Sequence, residues 1–404
     1  MTINNEHNKI NVPNLRFPEF QGEWEKCKLG DVCSFFSGGT PSSSNKDFYG
    51  GNIPFIRSGE LHKEETELFI TQSGYEKSSA KMVEVGDLLL AMYGATSGDV
   101  AISKIKGAIN QAILCIRTKH NNKFIESVWN KHVSKILVKY LQGGQGNLSA
   151  DIVKRISFSF PSLAEQEKIS HLIQLIDKRI STQNKVIDKL QSLIKGMEDN
   201  LLDNPLWKKT YLRSFMQFFP TNSLSWEQLS YKEGAIRNLH YGLIHGFQTR
   251  GINSASLPMI KNEAVPKQYM LCQVGDVAFA DASEDTGEIA KSVEFVDTIE
   301  GDTICGLHTI HGRDIKNRTV VGFKGFAFNS RYFHNQIKRL AQGTKVFSIT
   351  ANNLSSCYVY LPDLDTQKAI VNLLKTYEAK LLVSKRLLEH YEKQKQYLLR
   401  QMFT

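Results

Sequence analysis

Two stretches of the chain carry apolar residues at alternating steps of three and four, the spacing of one face of a long α-helix. The first stretch follows Pro161 and the second follows Pro362, and no proline interrupts either as far as Asn204 and Thr404. Each can form one helix of about 60 Å at 1.5 Å per residue. The first stripe comprises Ile173, Ile176, Ile180, Gln183, Ile187, Leu190, Ile194, Met197 and Leu201. The second comprises Leu374, Tyr377, Leu381, Ser384, Leu388, Tyr391, Lys395, Leu398 and Met402.

The two stretches are copies of one another. The segment Phe160–Ile180 aligns without a gap with Leu361–Leu381, so that Gln166 corresponds to Gln367. Two unrelated helices packing on separate cores would show the same periodicity. The internal repeat favours mutual pairing, because a helix of this length cannot bury its stripe alone. We therefore expect an antiparallel coiled coil about a pseudo-twofold axis.

Polar residues interrupt both stripes at the same position. Gln183 stands near the middle of the first stripe and Ser384 near the middle of the second. In an antiparallel pair these two residues should meet near the crossing and help to fix the register.

The remaining sequence predicts two mixed globular domains. Short apolar runs bounded by Gly, Ser or Asn indicate strands between Trp24 and Phe160, and one amphipathic helix is expected near Asn122–Leu141. The segment Val85–Ala101 recurs as Val274–Ala290, which indicates two related folds. We expect an α+β protein whose domains occupy residues 1–160 (with an N-terminal arm, 1–16) and 205–361. Helices occupy 161–204 and 362–404.

Composition is that of a folded protein without a membrane span. The hydrophobic fraction is 41% and the charged fraction 23%. No apolar run approaches the roughly 20 residues that span a bilayer, and a cytoplasmic location is expected. The six cysteines form no CxxC pair, so reduced, buried thiols are expected and no metal site.

The charge balance favours an acidic partner. The net charge is +9, and the two helical stretches contribute little of it. A basic excess on the globular domains is compatible with nucleic acid, although many basic proteins bind none. The loop Ser37–Lys46 and the segment Gln142–Asn147 could present hydroxyls, amides and backbone N–H groups to DNA, or could be plain surface loops.

No catalytic motif stands out in the sequence. There is no GxxxxGK[ST] phosphate loop, and the string Asn204-Pro205-Leu206-Trp207 lacks the second proline of an adenine methyltransferase tetrad. Asp87 and Asp276 recur in the two domains, where a turn is the simpler interpretation. We expect no catalytic residue on this chain.

Several motifs in order resemble the specificity subunits of type I restriction-modification systems. They include LRFPEFQGEW near the N-terminus, INQAI at Ile109–Ile113, the helix start FPSLAEQ, LHYGLIHGF at Leu239–Phe247 and GLHTIHGRD at Gly306–Asp314. The second helix start departs from the usual Glu-Gln with Thr366-Gln367. This change is expected to remove only a first-turn charge.

The resemblance implies a non-catalytic DNA-binding subunit. Each of two target recognition domains would read one half of a bipartite double-stranded DNA site, while the helices set the unread spacer and dock two modification (methyltransferase) subunits. Two restriction subunits, which are ATP-dependent translocases and nucleases, complete the complex. S-adenosylmethionine, ATP and Mg²⁺ are expected on those partners and not on this chain.

Candidate DNA-binding residues are hydroxyl, amide, imidazole and basic side chains of the two domains. In the first domain they are Ser37, Thr40, Ser42, Ser43, Lys46, Arg57, Lys104, Lys106, Gln111 and Gln145. In the second they are Arg237, His240, Arg250, Lys261, His308, Arg313, Lys316, Arg318, Arg331 and Lys345. Two alternatives stay open at this point: a stand-alone DNA methyltransferase or nuclease, and a helical scaffold without a nucleic-acid role.

Overall fold

The computed structural model describes residues 11–141, 147–247, 250–297, 299, 301–343 and 345–404. The chain folds into two compact units. Unit 1 is the chain up to Thr182 together with Leu388–Thr404, and unit 2 is Gln183–Leu387. Each long helix therefore contributes one part to each unit.

Unit 1 contains short strands and helices in chain order. Its strands are β1 (Glu25–Lys28), β2 (Cys33–Ser37), β3 (Tyr49–Ile56), β4 (Phe69–Ile70), β5 (Lys81–Val83), β6 (Leu88–Ala91), β7 (Val100–Ile102), β8 (Gly107–Ile109), β9 (Ile113–Thr118) and β10 (Ser157–Phe160). Its helices are α1 (Leu29–Val32), α2 (Gln72–Glu76), α3 (Asn122–Leu141) and α4 (Ala150–Arg155). The long helix α5 (Leu163–Leu202) follows.

Unit 2 repeats this organisation with additional short strands. Its strands are β11 (Lys208–Tyr211), β12 (Met216–Phe219), β13 (Leu229–Ser230), β14 (Arg237–Leu239), β15 (Gly251–Ile252), β16 (Met259–Ile260), β17 (Val277–Ala280), β18 (Ala282–Ser283), β19 (Ser292–Phe295), β20 (Thr303–Cys305), β21 (Thr309–Asp314), β22 (Phe347–Ser348) and β23 (Tyr358–Leu361). Its helices are α6 (Tyr241–Gly246), α7 (Phe323–Ala327), α8 (Arg331–Leu340), α9 (Ala351–Ser356) and the long α10 (Leu364–Gln401).

The sheets of the two units correspond. Unit 1 has sheets of order β2-β9-β6-β7 and β4-β3-β8-β5, and β1 pairs with β10. Unit 2 has sheets of order β12-β21-β17-β19-β15 and β13-β16-β14-β20, and β11 pairs with β23, while β18 and β22 form a small extra pair. The predicted strands and the predicted helix at Asn122–Leu141 are confirmed.

The turn before β6 explains one of the repeated motifs. Gly86 has φ +97° and its counterpart Gly275 has φ +90°, a left-handed conformation that favours glycine. The next residue, Asp87 or Asp276, closes the turn with its side chain, as described below. The shared Gly-Asp motif therefore marks a turn.

The two long helices confirm the prediction from the repeat. Ser162 Oγ accepts a hydrogen bond from the Glu165 amide at the start of α5, and Asp363 Oδ1 accepts one from the Thr366 amide at the start of α10. These are N-cap interactions placed directly after a proline, where the preceding backbone is extended.

The helices pair with opposite chain directions. In unit 1 the Lys395 Nζ–Asp177 Oδ1 ion pair spans 2.6 Å. In unit 2 Leu202 shares an apolar core with Ile370 and Leu374. The partner's residue number thus falls as that of α5 rises, and all residues of both predicted stripes are buried or half-buried. The predicted fold class, two mixed α/β domains with two long helices packed together, is confirmed.

Each unit encloses its own main apolar core. In unit 1, Ile169, Ile173 and Ile176 of α5 pack with Leu398 and Met402 of α10 against the globular part. The six cysteines are free thiols; four are buried, and Cys27 and Cys33 are half-buried. None of the helices in the described ranges combines the length and apolarity of a bilayer-spanning segment.

Candidate nucleic-acid interface

The central sheet of each unit has two chemically different ends. In unit 1, strand β9 begins near Gln111 and ends near Asn121, and β21 of unit 2 begins near His308 and ends near Lys316. A strand of six residues separates these ends by about 20 Å. The end of the sheet at which β9 and β21 begin is called the loop end. The end at which these two strands finish is called the helix end.

A buried glutamine joins the helix end of unit 1 to α5. The Asn121 amide donates to Gln166 Oε1 at 3.2 Å. Gln166 Nε2 donates to Pro161 O at 2.9 Å and to His120 Nδ1 at 3.0 Å. Because the amide satisfies backbone from both segments, Gln166 fixes the loop after β9 on the first turn of the helix.

The corresponding glutamine does the same in unit 2. Gln367 Oε1 accepts a hydrogen bond from the Val320 amide at 3.0 Å, and its Nε2 donates to Arg318 O and Pro362 O, both at 3.0 Å. Gln166 and Gln367 are each 0% exposed. The junction between sheet and helix is therefore built in the same way in both copies.

An aspartate–arginine pair closes the turn at the helix end of unit 1. Asp87 Oδ2 accepts from the Glu84 amide at 2.9 Å, and Arg117 donates through Nε at 3.0 Å and Nη2 at 2.7 Å. Burial raises the pKa of Asp87, but hydrogen bonds from Arg117 and the Glu84 amide outweigh it, so the pKa lies below its usual value.

The same pair recurs in unit 2 and employs a candidate residue. Arg313 donates to Asp276 through Nε at 2.8 Å and Nη2 at 2.7 Å, and Nη2 also reaches Leu271 O at 2.8 Å. Its side chain is 20% exposed. The structure therefore places Arg313 in a turn-closing role at the helix end.

The loop end of unit 1 brings several candidates together. Thr40 Oγ1 donates to Gln111 Oε1 at 2.5 Å, although the two residues lie 71 positions apart. Ser37, Thr40, Ser42, Ser43, Lys46 and Gln111 are all exposed. Donors and acceptors of this kind can contact base edges and phosphates.

The loop that carries these side chains is held by close backbone contacts. A Cβ on Gly38 would lie 1.8 Å from Ile109 O, so only glycine permits this approach. Tyr49 donates its hydroxyl proton to Pro41 O at 2.6 Å. The hydroxyl groups are thus displayed from a positioned loop.

Other unit 1 candidates are engaged in ion pairs. Arg57 Nη2 lies 2.9 Å from Glu60 Oε1 and 3.2 Å from Glu67 Oε2. Hydrogen bonds from Arg57 lower the pKa of Glu60 to about 2. Lys104 pairs with Glu64 and Lys106 with Glu84, each at 3.0 Å. Gln145 lies outside the described residues.

Two histidine candidates lie at the loop end of unit 2. His240 is 2% exposed, its Nδ1 accepts from the Gly242 amide at 3.2 Å, and its ring lies 4.4 Å from that of Trp226. His308 has φ +53° and a half-exposed side chain that contacts Asp281 Oδ1 at 3.1 Å. Only His308 of this pair presents its ring to solvent.

Two arginine candidates contact other parts of unit 2. Arg237 Nη1 donates to Ala255 O at 2.9 Å and to Leu257 O at 3.2 Å. Arg250 lies 3.9 Å from Glu198 on α5 and also faces Glu378 on α10. Arg250 therefore faces the paired helices, away from the loop end.

The remaining candidates of unit 2 are spread over its surface. Lys261 is half-buried, whereas Lys316, Arg318, Arg331 and Lys345 are exposed. Lys316 and Arg318 lie in the loop at the helix end, next to the segment that Gln367 fixes. The structure thus divides the candidates of unit 2 between both ends and does not collect them in one patch.

Glu165 makes buried contacts with the N-terminal segment that its sequence position did not predict. Glu165 is 1% exposed and accepts hydrogen bonds from Arg16 Nε at 2.8 Å, Arg16 Nη2 at 2.7 Å and Trp24 Nε1 at 3.3 Å. The difference between Glu165 and Thr366 is therefore more than a first-turn charge, because Glu165 attaches the N-terminal segment to α5. The acidic residue at this position was the available signal.

Two further features were not found from the sequence. Thr221, in the loop after β12, donates to Thr309 O at 2.9 Å, and Asn222 donates to Cys305 O at 3.0 Å. This loop is the counterpart of Ser37–Lys46, and its Thr-Asn-Ser composition was the signal.

Cys272, Cys305 and His311 also come together as potential metal ligands. The sequence spacing gave no sign of this cluster.

Comparisons with known proteins agree with this architecture. Residues 21–192 match the family described as "Type I restriction modification DNA specificity domain". The MjaVIII specificity subunit of Methanocaldococcus jannaschii is 23% identical over 427 residues, covering 100% of this chain and 97% of that protein. The EcoR124I/EcoR124II specificity subunit of Escherichia coli is 26% identical over 188 residues, covering 44% and 45%.

Solved structures share the fold. The crystal structure of a type I restriction-modification S subunit from M. genitalium superposes with a TM-score of 0.61 at 13% identity, covering 97% of this chain and 99% of that one. A second structure, titled for complex assembly and conformational transition of the type I R-M system, gives a TM-score of 0.55 at 13% identity, covering 93% and 96%. Residues 21–192 thus match a type I restriction-modification DNA specificity domain, and over nearly its whole length the chain is similar to specificity subunits of type I restriction-modification systems.

Proposed function

We propose that the loop end of each unit reads one half of a bipartite double-stranded DNA site. This proposal rests on the different surroundings of the two ends of the sheet in unit 1. Exposed Thr40 and Gln111 lie at the loop end, whereas Gln166 joins the helix end to α5 by a hydrogen bond. Side chains at the loop end are free to enter a groove without disturbing the helix junction. The proposed recognition domains are residues 1–160 and 205–361.

The loop end of unit 1 has the chemistry for direct readout. Hydroxyl and amide groups of Ser42, Thr40 and Gln111 can donate to or accept from base edges, and Lys46 suits a phosphate. Arg57 retains a half-exposed guanidinium, although Glu60 and Glu67 hold it.

Unit 2 would use a different set of side chains. His308 and exposed Lys345 are the candidates for its loop end, whereas Lys316, Arg318 and Arg331 suit backbone phosphates. We propose structural roles for His240, Arg237, Arg250 and Arg313, on the contacts described above. The difference between the sets fits two units that recognise different sequences.

The paired helices, residues 161–204 and 362–404, would set the number of unread base pairs and dock two methyltransferase subunits. In unit 2 their outer surface exposes apolar side chains: Val186 is 40% exposed, Leu193 45%, Leu373 41% and Val383 62%. Such residues suit a protein interface. S-adenosylmethionine, ATP and Mg²⁺ would belong to the methyltransferase and restriction partners, and this chain would supply no catalytic group.

The test is a genome-wide map of methylated adenines in cells that express this chain with its partner subunits. The expected pattern is a bipartite motif, and the variant Thr40→Ala/Gln111→Ala should relax one half of it only. Lys154→Ala, at an exposed residue away from the loop end, is the matched control. Equal changes in both halves would contradict the assignment of one half-site to each unit.

A second assay separates this proposal from a stand-alone methyltransferase or nuclease. The purified chain should bind DNA with an affinity that falls as salt rises, because lysine and arginine displace counterions from phosphates. Methyl transfer or cleavage by the chain without any partner would contradict a non-catalytic role. Binding that is absent at low salt would favour a scaffold without a nucleic-acid role.

A further inference from the structure

A cluster of three potential metal ligands lies inside unit 2. The Sγ atoms of Cys272 and Cys305 are 3.6 Å apart, and a ring nitrogen of His311 lies within 4.8 Å of both. The three residues are 7%, 2% and 1% exposed, respectively. Among the described residues, it is the one group of three or more His, Cys, Asp or Glu side chains that are close enough together to hold a metal ion.

The sulfur separation agrees with a tetrahedral thiolate site. A Zn–S bond is about 2.3 Å, so two thiolates on one tetrahedral ion lie about 3.8 Å apart. Cys272 and Cys305 already have nearly this spacing without any ion. The imidazole completes a Cys2His ligand set and leaves one coordination position for a small molecule or water.

One ring nitrogen of His311 is hydrogen-bonded and the other is not. His311 Nε2 lies 2.7 Å from Asp276 Oδ2, whereas the buried Nδ1 has no hydrogen-bond partner among the described residues. A carboxylate that accepts the proton of one ring nitrogen leaves the lone pair of the other nitrogen available, and metal-binding histidines are commonly held in this way. The unpartnered Nδ1 is thus an observation independent of the sulfur distance.

Unit 1 shows that the fold does not need these three residues. Leu271 pairs with Ile304 as Met82 pairs with Ala108, so Cys272 and Cys305 correspond to Val83 and Ile109. Similarly, His311 pairs with Ala278 as Cys115 pairs with Leu89. The three counterparts, Val83, Ile109 and Cys115, share one buried apolar cluster.

The charges also fit a divalent ion. Two thiolates neutralise a 2+ ion, and the neighbouring Asp276 is neutralised by Arg313. The buried site would therefore carry no net charge, which avoids the cost of an unpaired buried ion. Soft sulfur ligands together with imidazole favour Zn²⁺ over Mg²⁺ or Ca²⁺.

We propose that Cys272, Cys305 and His311 bind a zinc-type ion that joins the two sheets of unit 2. Cys305 ends β20 of the four-stranded sheet, and His311 lies in β21 of the five-stranded sheet. The ion takes the place of the apolar contacts that join the corresponding sheets in unit 1. The ion is proposed to stabilise unit 2 and not to contact DNA, so the proposal stands whether or not the proposed DNA contacts are correct.

The experiment measures metal binding by the full-length chain under reducing conditions. Zn²⁺ content per chain is determined after desalting, and Co²⁺ is used as a spectroscopic probe for thiolate-to-metal charge transfer. The test variant carries the unit 1 residues, Cys272→Val, Cys305→Ile and His311→Cys. Cys357→Ser, at a buried cysteine outside the cluster, is the control, and Cys305→Ser is a second single variant of similar volume.

The wild type and Cys357→Ser should bind one equivalent of Zn²⁺ and give the thiolate band. The triple variant and Cys305→Ser should lose at least nine tenths of both signals. Zn²⁺ should raise the melting temperature of the wild type and leave that of the triple variant unchanged. The proposal is overturned if the wild type binds no more metal than the triple variant.

Discussion

Gln183 Nε2 donates a hydrogen bond of 3.0 Å to the backbone oxygen of Ser384, its counterpart 201 positions later in the repeat. Both residues are half-buried in unit 2. The meeting of these two residues is what the internal repeat predicted. A polar contact at this point can select one register of the two helices over others. An apolar residue would pack equally well in several registers.

Gln183→Leu tests the role in register. Leucine should leave the melting temperature unchanged or raise it, because a polar residue in a helix seam specifies register at a cost in stability. If the helices set the DNA spacer, the methylated sites should then show mixed spacer lengths. Ser181→Leu, two residues earlier and exposed, is the control; a single unaltered spacer in Gln183→Leu would argue against a register function.

Gln367→Leu should destabilise the chain by about 2–4 kcal/mol, because it leaves the half-buried Val320 amide and two carbonyl groups without partners. Gln166→Leu should behave alike in unit 1. Denaturant unfolding gives the free energy, and exposed Gln396→Leu on α10 controls for the added apolar surface. Loss of less than about 1 kcal/mol would mean that the junction does not depend on this amide.

Glu165→Thr, which introduces the residue of the second helix start, should detach the N-terminal segment. Removal of one partner from a buried ion pair costs about 3–5 kcal/mol. Limited proteolysis should then cut near Arg16 faster than in the wild type. Glu167→Thr, at an exposed position on the same helix, should change neither the cleavage rate nor the stability.

Glu378 makes stability depend on pH. Burial raises its pKa to about 7, against the opposing effect of Arg250. Between the usual carboxyl pKa and about 7 the folded state keeps a proton that the unfolded state has lost, so stability falls as pH rises through this window. The loss should be about 1–3 kcal/mol.

Glu378→Gln should remove this dependence. The variant should match the wild type near pH 4 and exceed it in unfolding free energy near pH 8. Exposed Glu392→Gln on the same helix is the control. An equal difference between wild type and Glu378→Gln at both pH values would contradict a raised pKa.

The sequence predicted features that depend on local periodicity or on the repeat. Ile173, Ile176 and Leu374 lie in a helical stripe whose spacing is visible without any tertiary information, and α3 begins and ends as expected. The repeat added the meeting of Gln183 with Ser384, because residues at the same repeat position near the middle of two antiparallel copies lie opposite one another.

Contacts created by strand pairing could not be predicted in this way. Cys272 and Cys305 are separated by 33 positions, and only the register of β20 brings them together. Gln166 was visible as a repeated residue, but its hydrogen bonds depend on where the loop after β9 ends. Charge alone also could not separate exposed Lys316 from Arg313, which closes a turn.

The central claim is that the paired helices set the distance between the two DNA half-sites. Its most direct test inserts seven residues in both helices, beside Gln183 and Ser384, so that the apolar stripe keeps its phase. Such an insertion lengthens each helix by about 10 Å, or about three base pairs of DNA. Mapping of methylated adenines should show both half-sites unchanged and the spacer longer by about that amount. An unchanged spacer with altered half-sites would contradict the account.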